Sequence, residues 1–355
     1  MTAQTLDIAV IGVGVIGGRH ARLCAASAEC RLCAIVDENP ASARLAAELG
    51  AAFYPNLDAM LDHERPHGVV VATPTPSHEA IGLAAIAAGA HLLVEKPIAV
   101  DLPAAARLVE AAAKRGVRIL VGHHRRHNPI GAEARRIVAD GEIGRLLAVN
   151  VLWAVLKPRD YFDIAWRTQT GAGPVMTNLI HEVDLLRFIC GEIAFVSAAT
   201  GHFGRGLAVE DTAAALLRFE NGALGTITAS DAAPSPWSWD ANTGENPTIA
   251  ISRGNFARYL GSEGSLEFPD LQIWRYAHGR ETGWNQPLLR ESRLQPMADA
   301  YQCQLAHFCA VIRGEAEPLS SGEDASRTLA ATVAILQSAV SGHAVDLIPP
   351  VVARA

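Results

Sequence analysis

His181, Lys96 and a glycine-rich turn have the types and spacing to do chemistry. His181 lies in GPVMTNLIHEVD (173–184), an apolar helix pattern with Thr177 one turn before it and Asp184 three residues after. An imidazole there is either a core histidine held by its neighbours or the acid–base residue of an active site. Lys96, in HLLVEKPIAV, follows an apolar strand pattern and precedes Pro97, which fixes the chain direction. Ligands of open α/β sheets bind at the carboxyl ends of strands. An ammonium there can bind a substrate oxygen and stabilise alkoxide character as hydride leaves.

The third element is IAVIGVGVIGGRH, a G-x-G-x-x-G pattern at Gly12, Gly14 and Gly17. Its glycines suit a tight turn, close approach of a pyrophosphate and close helix–strand packing. Val15 and Ile16 open the helix that follows, where free N–H groups and the dipole favour an anion. The motif follows a strand, and Asp37 ends the next strand twenty residues after Gly17, as a dinucleotide fingerprint requires. A carboxylate at Asp37 accepts from ribose hydroxyls and repels a 2′-phosphate, so NAD is expected rather than NADP. The bland alternative for Asp37 is a helix cap before NPASA.

These residues need elements to hold them. Up to about residue 123, short apolar strands alternate with Ala-rich helices, which implies a parallel sheet covered on both faces. Near residue 145 the pattern changes to longer strands joined by turns, with a hairpin signal at Asn221–Ala223. Residues 232–247 read as a long loop in which Trp237 and Trp239 are further pocket candidates. Helices are expected around 299–313 and 322–340. The fold class is therefore α/β: an N-terminal dinucleotide-binding domain (1–123) and a C-terminal α+β domain (124–355) with an open-faced, mostly antiparallel sheet.

Half of the 355 residues are hydrophobic and 19% are charged, enough for a large core. The formal charge of −7 argues against nucleic-acid or membrane-surface partners. No apolar run reaches membrane-spanning length. The N-terminal residues lack a leader pattern, so the expected location is the cytoplasm. The Cys30-x-x-Cys33 pair has no further ligands at a metal-binding spacing, and the six cysteines read as thiols.

Taken together, the Gly12-x-Gly14-x-x-Gly17 turn, TPTPSH (73–78), EKP (95–97), GHHRRHNP (122–129) and IHEVDLLRFICGE (180–192) resemble the Gfo/Idh/MocA oxidoreductases. The resemblance covers nearly the whole chain. It implies a Rossmann domain followed by an open-faced sheet used for homodimer or homotetramer contacts. It implies NAD(P)-dependent oxidation or reduction of a sugar, polyol or related ring. It places Lys96 beside the substrate hydroxyl, Thr73, Pro74 and His78 near the cofactor, and Glu95 near the nicotinamide ribose. His181 matches the position usually assigned to the acid–base residue.

Two stretches depart from that pattern. Many relatives carry an aspartate one turn before the histidine, where this chain has Thr177, with Asn178 next. Threonine hydrogen-bonds but holds no charge, so the usual carboxylate–imidazole pair is missing. His123, His124 and His127 replace more apolar residues, while Arg126 fits the usual arginine. The histidines lack a carboxylate or cysteine partner and lie on a turn that would scatter them, so no metal is expected. With Arg126 they read as a polar or anionic substrate wall, or as a solvated, capped helix start.

Lys157, Arg159, Tyr161, Trp166 and Arg167 precede the His181 helix and are candidates for the substrate pocket. Arginines suit carboxylates, and aromatic faces suit sugar rings. The expected function is NAD-dependent oxidation of a secondary hydroxyl of a cyclic polyol, sugar or sugar acid, with Lys96 and His181 catalytic. Substrate contacts are expected from Lys96, His124, Arg126, Arg159, Tyr161, Trp166, Asn178 and His181. The alternatives are oxidation of a carboxylated cyclic diol or other non-sugar ring, and a non-catalytic NAD(P)-responsive regulator.

Overall fold

The computed structural model describes residues 5–169, 171–293, 295 and 298–347. Its first strands and helices alternate along the chain: β1 (Leu6–Ile11), α1 (Val15–Ala26), β2 (Cys30–Val36), α2 (Ala43–Leu49), β3 (Ala52–Tyr54) and α3 (Leu57–His63). The same alternation runs on through β4 (Gly68–Val71), α4 (His78–Ala87), β5 (His91–Val94), α5 (Leu102–Arg115) and β6 (Ile119–Val121). Then come α6 (Pro129–Ala139), β7 (Leu146–Ala154), α7 (Ile180–Cys190), β8 (Ile193–Gly201), β9 (Thr212–Phe219), β10 (Leu224–Ser230) and α8 (Trp239–Thr243). The last elements are β11 (Ala257–Gly261), β12 (Gly264–Phe268), β13 (Gln272–Arg275), β14 (Leu289–Ser292), α9 (Ala300–Arg313), α10 (Gly322–Ser341) and β15 (Val345–Asp346).

The chain forms two compact units. The first holds the residues up to His127 together with Ala298–Leu329, and the second holds the rest. The return of 298–329 to the first unit was not anticipated from a single boundary after residue 123. Its cause is apolar: Leu305, Phe308 and Cys309 of α9 complete the core built by Ile8, Val10, Ile35, Val70 and Leu93. Backbone pairing adds to it, because Val121 N–H donates to the Ser320 carbonyl at 2.8 Å.

In the first unit the six strands are parallel in the order β3-β2-β1-β4-β5-β6. The order reverses between β1 and β4, the switch point beside which such sheets bind ligands. The strands are nearly continuous apolar runs because both faces are covered.

In the second unit nine strands lie in the order β14-β13-β12-β11-β7-β10-β9-β8-β15, all antiparallel except the β7–β10 pair. Burial alternates along β9 and β10, so one face is packed and the other open. Strands β11–β14 were not read from the sequence; they are short, with tight turns joining β11 to β12 and β12 to β13 and a longer loop before β14. The stretch 232–247 is not wholly loop, since Ser238 caps α8 by accepting from Ala241 N–H at 3.1 Å.

Candidate active site

The glycine turn of the first unit is dictated by contacts. Gly12 has φ +78°, and a Cβ there would lie 2.7 Å from Thr73 Cγ2. A Cβ on Gly17 would fall 1.8 Å from the Gly12 carbonyl oxygen. A Cβ on Gly14, by contrast, would meet nothing within 4 Å. Space is therefore kept open at the N-terminus of α1, which has no side-chain cap and starts at Val15, 92% exposed. That is a cradle for a pyrophosphate. Asp37 adjoins it: Val13 N–H donates to one carboxylate oxygen at 2.8 Å and Asn39 N–H to the other at 2.9 Å. Asn39, not Asp37, caps the following short helix, by accepting from Ala41 N–H. The residues present fit NAD, with Asp37 held where a ribose would meet it.

At the ends of β4 and β5 the loops are braced by side chains. Ser77 donates to Thr73 Oγ1 at 2.7 Å. His78 is buried, with Nε2 2.9 Å from the Thr73 carbonyl and Nδ1 3.0 Å from the Pro97 carbonyl. Its ring thus ties the Thr73–Pro74 loop to the turn after Lys96. Glu95 follows β5 directly, and Nε2 of buried His20 lies 2.9 Å from its Oε1. Burial pushes the Glu95 carboxyl up, but the His20 hydrogen bond and the charges of His20, His124 and Lys96 outweigh it and hold the carboxyl below its ordinary range. Lys96 itself is half-buried.

The histidine-rich turn after β6 points inward. His124 stacks on Tyr301 of α9, with ring centroids 4.3 Å apart and an interplanar angle of 17°. Arg126 pairs with Asp324 at 2.7 Å and donates to the Leu319 carbonyl at 3.0 Å. These contacts bear on the substrate-wall reading without deciding it. The Arg126 guanidinium is already buried on its own carboxylate and carbonyl, and the His124 face is taken by an aromatic ring.

In the second unit the segment before His181 is not a plain α-helical start. Val175–Leu179 forms a π-turn that leads into α7, a feature frequent at functional sites. Thr177 and Asn178 lie on it, and half-buried His181 is the second residue of α7. Glu210 seals the entry: it accepts from Val175 N–H at 3.2 Å, and its carboxylate stands 2.1–2.3 Å from where a Cβ on Gly173 would be. Asp184 is buried in the body of α7, in keeping with an anchoring role.

Two cations of the loop before this turn, Lys157 and Arg167, are engaged internally. Lys157 Nζ lies 3.1 Å from Asp231 Oδ2, and Arg205 pairs with the same carboxylate. Asp231 is 2% exposed. Lys157 also lies 4.6 Å from the centroid of the Tyr161 ring, and Arg167 lies 4.0 Å from it. Arg167 further donates to the Tyr161 carbonyl at 2.9 Å. Arg159 is exposed and makes no ion pair among the described residues, and Trp166 is 53% exposed. Trp239 is a core residue, fully buried beside Phe268, and leaves the list of pocket candidates; Trp237 is 42% exposed.

Residues 6–123 match the family described as "Oxidoreductase family, NAD-binding Rossmann fold", and residues 132–267 match the "GFO/IDH/MocA C-terminal domain". A 1,5-anhydro-D-fructose reductase of Ensifer adhaerens is 30% identical over 284 residues, covering 79% of either chain. The chain belongs to the Gfo/Idh/MocA oxidoreductases.

Solved structures of this family share the whole architecture. The WlbA dehydrogenase of Bordetella pertussis, in complex with NADH and UDP-GlcNAcA, superposes with a TM-score of 0.79 at 25% identity, covering 97% of this chain and 99% of that one. A myo-inositol dehydrogenase of Corynebacterium glutamicum gives a TM-score of 0.75 at 25% identity, covering 98% and 100%. As a Gfo/Idh/MocA enzyme the chain is an NAD-dependent dehydrogenase acting on CH–OH groups. Among the described residues no helix is long and apolar enough to cross a membrane, and no three metal-ligating side chains cluster. Sequence reading missed His20, Glu210, Arg205 and Asp231. His20 carried a usable signal, three residues past Gly17 on the dinucleotide helix; the others act across 26 or more residues.

Proposed function

We propose that this enzyme oxidises a secondary hydroxyl of a cyclic polyol, sugar or sugar acid, with Lys96 and His181 serving the same carbon–oxygen centre. Support comes from the compounds that relatives are named for, an anhydrofructose and myo-inositol, and from the nucleotide sugar acid in the WlbA complex. The observation that carries the reading is the open cradle at Gly14 on the same sheet edge as Glu95 and Lys96.

When bound, NAD supplies the hydride acceptor. Gly12, Gly14, Val15, Ile16, Gly17 and Asp37 would hold its pyrophosphate and ribose, with Thr73, Pro74 and the His78 brace shaping the adjoining wall. Glu95 would take the second ribose. Lys96 orients the reacting hydroxyl and stabilises negative charge as it builds on oxygen. His181, neutral, takes the hydroxyl proton; the C–H bond breaks as a C=O bond forms, and hydride leaves the carbon. Asn178, one helical turn from His181, contributes a polar contact to the sugar. Arg159, Tyr161 and Trp166 complete the substrate contacts we propose. Lys157, Arg167 and Arg126 are already engaged, so in the carboxylated-ring alternative the carboxylate would fall to Arg159.

The test is a screen for NADH absorbance with sugars, inositols, uronic and aldonic acids and carboxylated cyclic diols, each with NAD and NADP. Turnover with a polyol or sugar supports the reading, and Lys96→Met should reduce it by on the order of 10²–10⁴. Unchanged turnover in Lys96→Met would sink the assignment of Lys96. Saturable NADH binding without turnover on any compound would favour a regulator.

We also place the enzyme in the cytoplasm and pair its subunits through the open face of the second sheet. Leu147, Leu216, Leu224 and Leu260 are 44–50% exposed there, and such leucines on one sheet face suit a second copy.

A further inference from the structure

Within the first unit, His20 is a fully buried imidazole that no step above uses. It lies on the helix that opens at the glycine turn, and its Nε2 meets Glu95 Oε1 at 2.9 Å. A carboxylate only accepts, so the proton of that bond is on Nε2. Nδ1 is buried without a hydrogen-bond partner. Glu95 is confined on its other sides. Lys96 N–H donates to Oε2 at 3.3 Å, and a Cβ on Gly122 would lie 2.8 Å from the same oxygen. Any residue other than glycine at 122 would displace the carboxylate.

We propose that His20 is a positioning residue, which turns and holds the ionised Glu95 carboxylate for the cofactor ribose. It thereby couples the pyrophosphate-binding helix to the Glu95–Lys96 pair. This rests on the function proposed above, in which Glu95 meets the nicotinamide ribose. The charged and titratable neighbours of Glu95 are His20 from α1, His124 from the turn after β6, and adjacent Lys96. Behind His20, α9 sets the Tyr301 ring edge-on at 5.5 Å, with Arg19 over that ring and paired to Asp299. Gly122 contributes shape and no charge. With the His20 donor gone, burial is the largest influence left on Glu95, and it favours the neutral acid.

The experiment is a fluorescence titration of the full-length enzyme with NADH across roughly pH 4–8, using His20→Gln and His20→Asn. The Gln amide reaches the position of Nε2; the Asn amide stops near Nδ1, where no partner waits. His20→Gln should stay within about threefold of the parent. His20→Asn should bind NADH roughly ten- to a hundredfold more weakly, as expected for losing a hydrogen bond to a charged group. Its acid limb should also move to higher pH. Parent-like affinity and acid limb in His20→Asn overturn the proposal, as does His20→Gln no better than His20→Asn. Glu95→Gln, which keeps the shape, should abolish the acid limb; a persisting limb overturns the proposal even if His20→Asn fails to fold. The titration needs no turnover. Failure of the substrate reading would show separately, as intact NADH binding without NADH production.

Discussion

The Thr177 hydroxyl lies 2.9 Å from the Asn178 amide oxygen and 3.0 Å from the Gly173 carbonyl. Where the family resemblance led to the expectation of a charge, this enzyme places a neutral clasp. A hydroxyl has one proton, so it gives a full hydrogen bond to one of these oxygens at a time. When it donates to Asn178 Oδ1 it restrains that side chain on the turn before His181; when it donates to Gly173 it ties the turn to the preceding backbone.

Thr177→Val keeps the shape and removes the clasp. Turnover should fall by roughly tenfold, the value of about one hydrogen bond, with KM for NAD unchanged. Thr177→Asp adds a carboxylate one turn from His181 and favours its imidazolium. His181 must be neutral to accept a proton, so the acid limb of kcat/KM should move to higher pH. A kcat/KM profile of both variants decides it; an unmoved limb in Thr177→Asp would remove His181 from the role of base.

The glycine turn separates a folding requirement from a binding requirement. Gly17→Ala forces a Cβ against the Gly12 carbonyl at 1.8 Å, so it should lower Tm and lose NAD together. Gly14→Ala meets no atom of the protein within 4 Å, so Tm should hold while NADH affinity falls by about tenfold or more. Thermal melts beside NADH titrations test both; equal loss of Tm in the two variants would contradict the cradle.

What could be read from the chain alone follows the range of the interaction. The parallel sheet and the Gly12–Asp37 fingerprint were legible because strand periodicity and turn chemistry act over a few residues. The role of Arg126 was not, because Asp324, its counterion, lies on a distant helix that composition cannot place. Lys157 and Arg167 looked free for a carboxylate for the same reason. Strands β11–β14 escaped because runs of four or five residues carry little periodic signal. Glu210 gave no hint at all, since its meaning depends on the Gly173–Val175 backbone 35 residues earlier.

Asp231 should be a stability residue and not a catalytic one. It is buried and faces both Lys157 and Arg205. Asp231→Ala leaves two poorly solvated cations without their anion, and should cost about 3–5 kcal/mol. Denaturant unfolding measures this. A loss below about 1 kcal/mol would mean that the loop carrying Tyr161 is held by other contacts.

Glu210 yields the opposite sign. Burial raises its carboxyl above the ordinary range, with Asp231 adding to the rise and Lys157 opposing it. The folded state therefore holds this proton more tightly than the unfolded chain does. The sign follows from linkage: the contribution is present below the unfolded pKa and is lost as pH rises through the folded value. At neutral pH the ionised carboxylate is a burden that the Val175 N–H bond only partly offsets. Glu210→Gln keeps an acceptor for that N–H and removes the buried charge. It should raise Tm at neutral pH by on the order of 1–3 °C, with the gain shrinking as pH falls through the ordinary carboxylate range toward about 4. Glu210→Ala removes the acceptor as well, leaves Val175 N–H unsatisfied at the π-turn, and should lower both Tm and turnover. Melting curves of the two variants across this range test the sign directly. A Glu210→Gln enzyme less stable at pH 7 than at pH 4, relative to the parent, would show that the carboxylate charge holds the His181 turn in place.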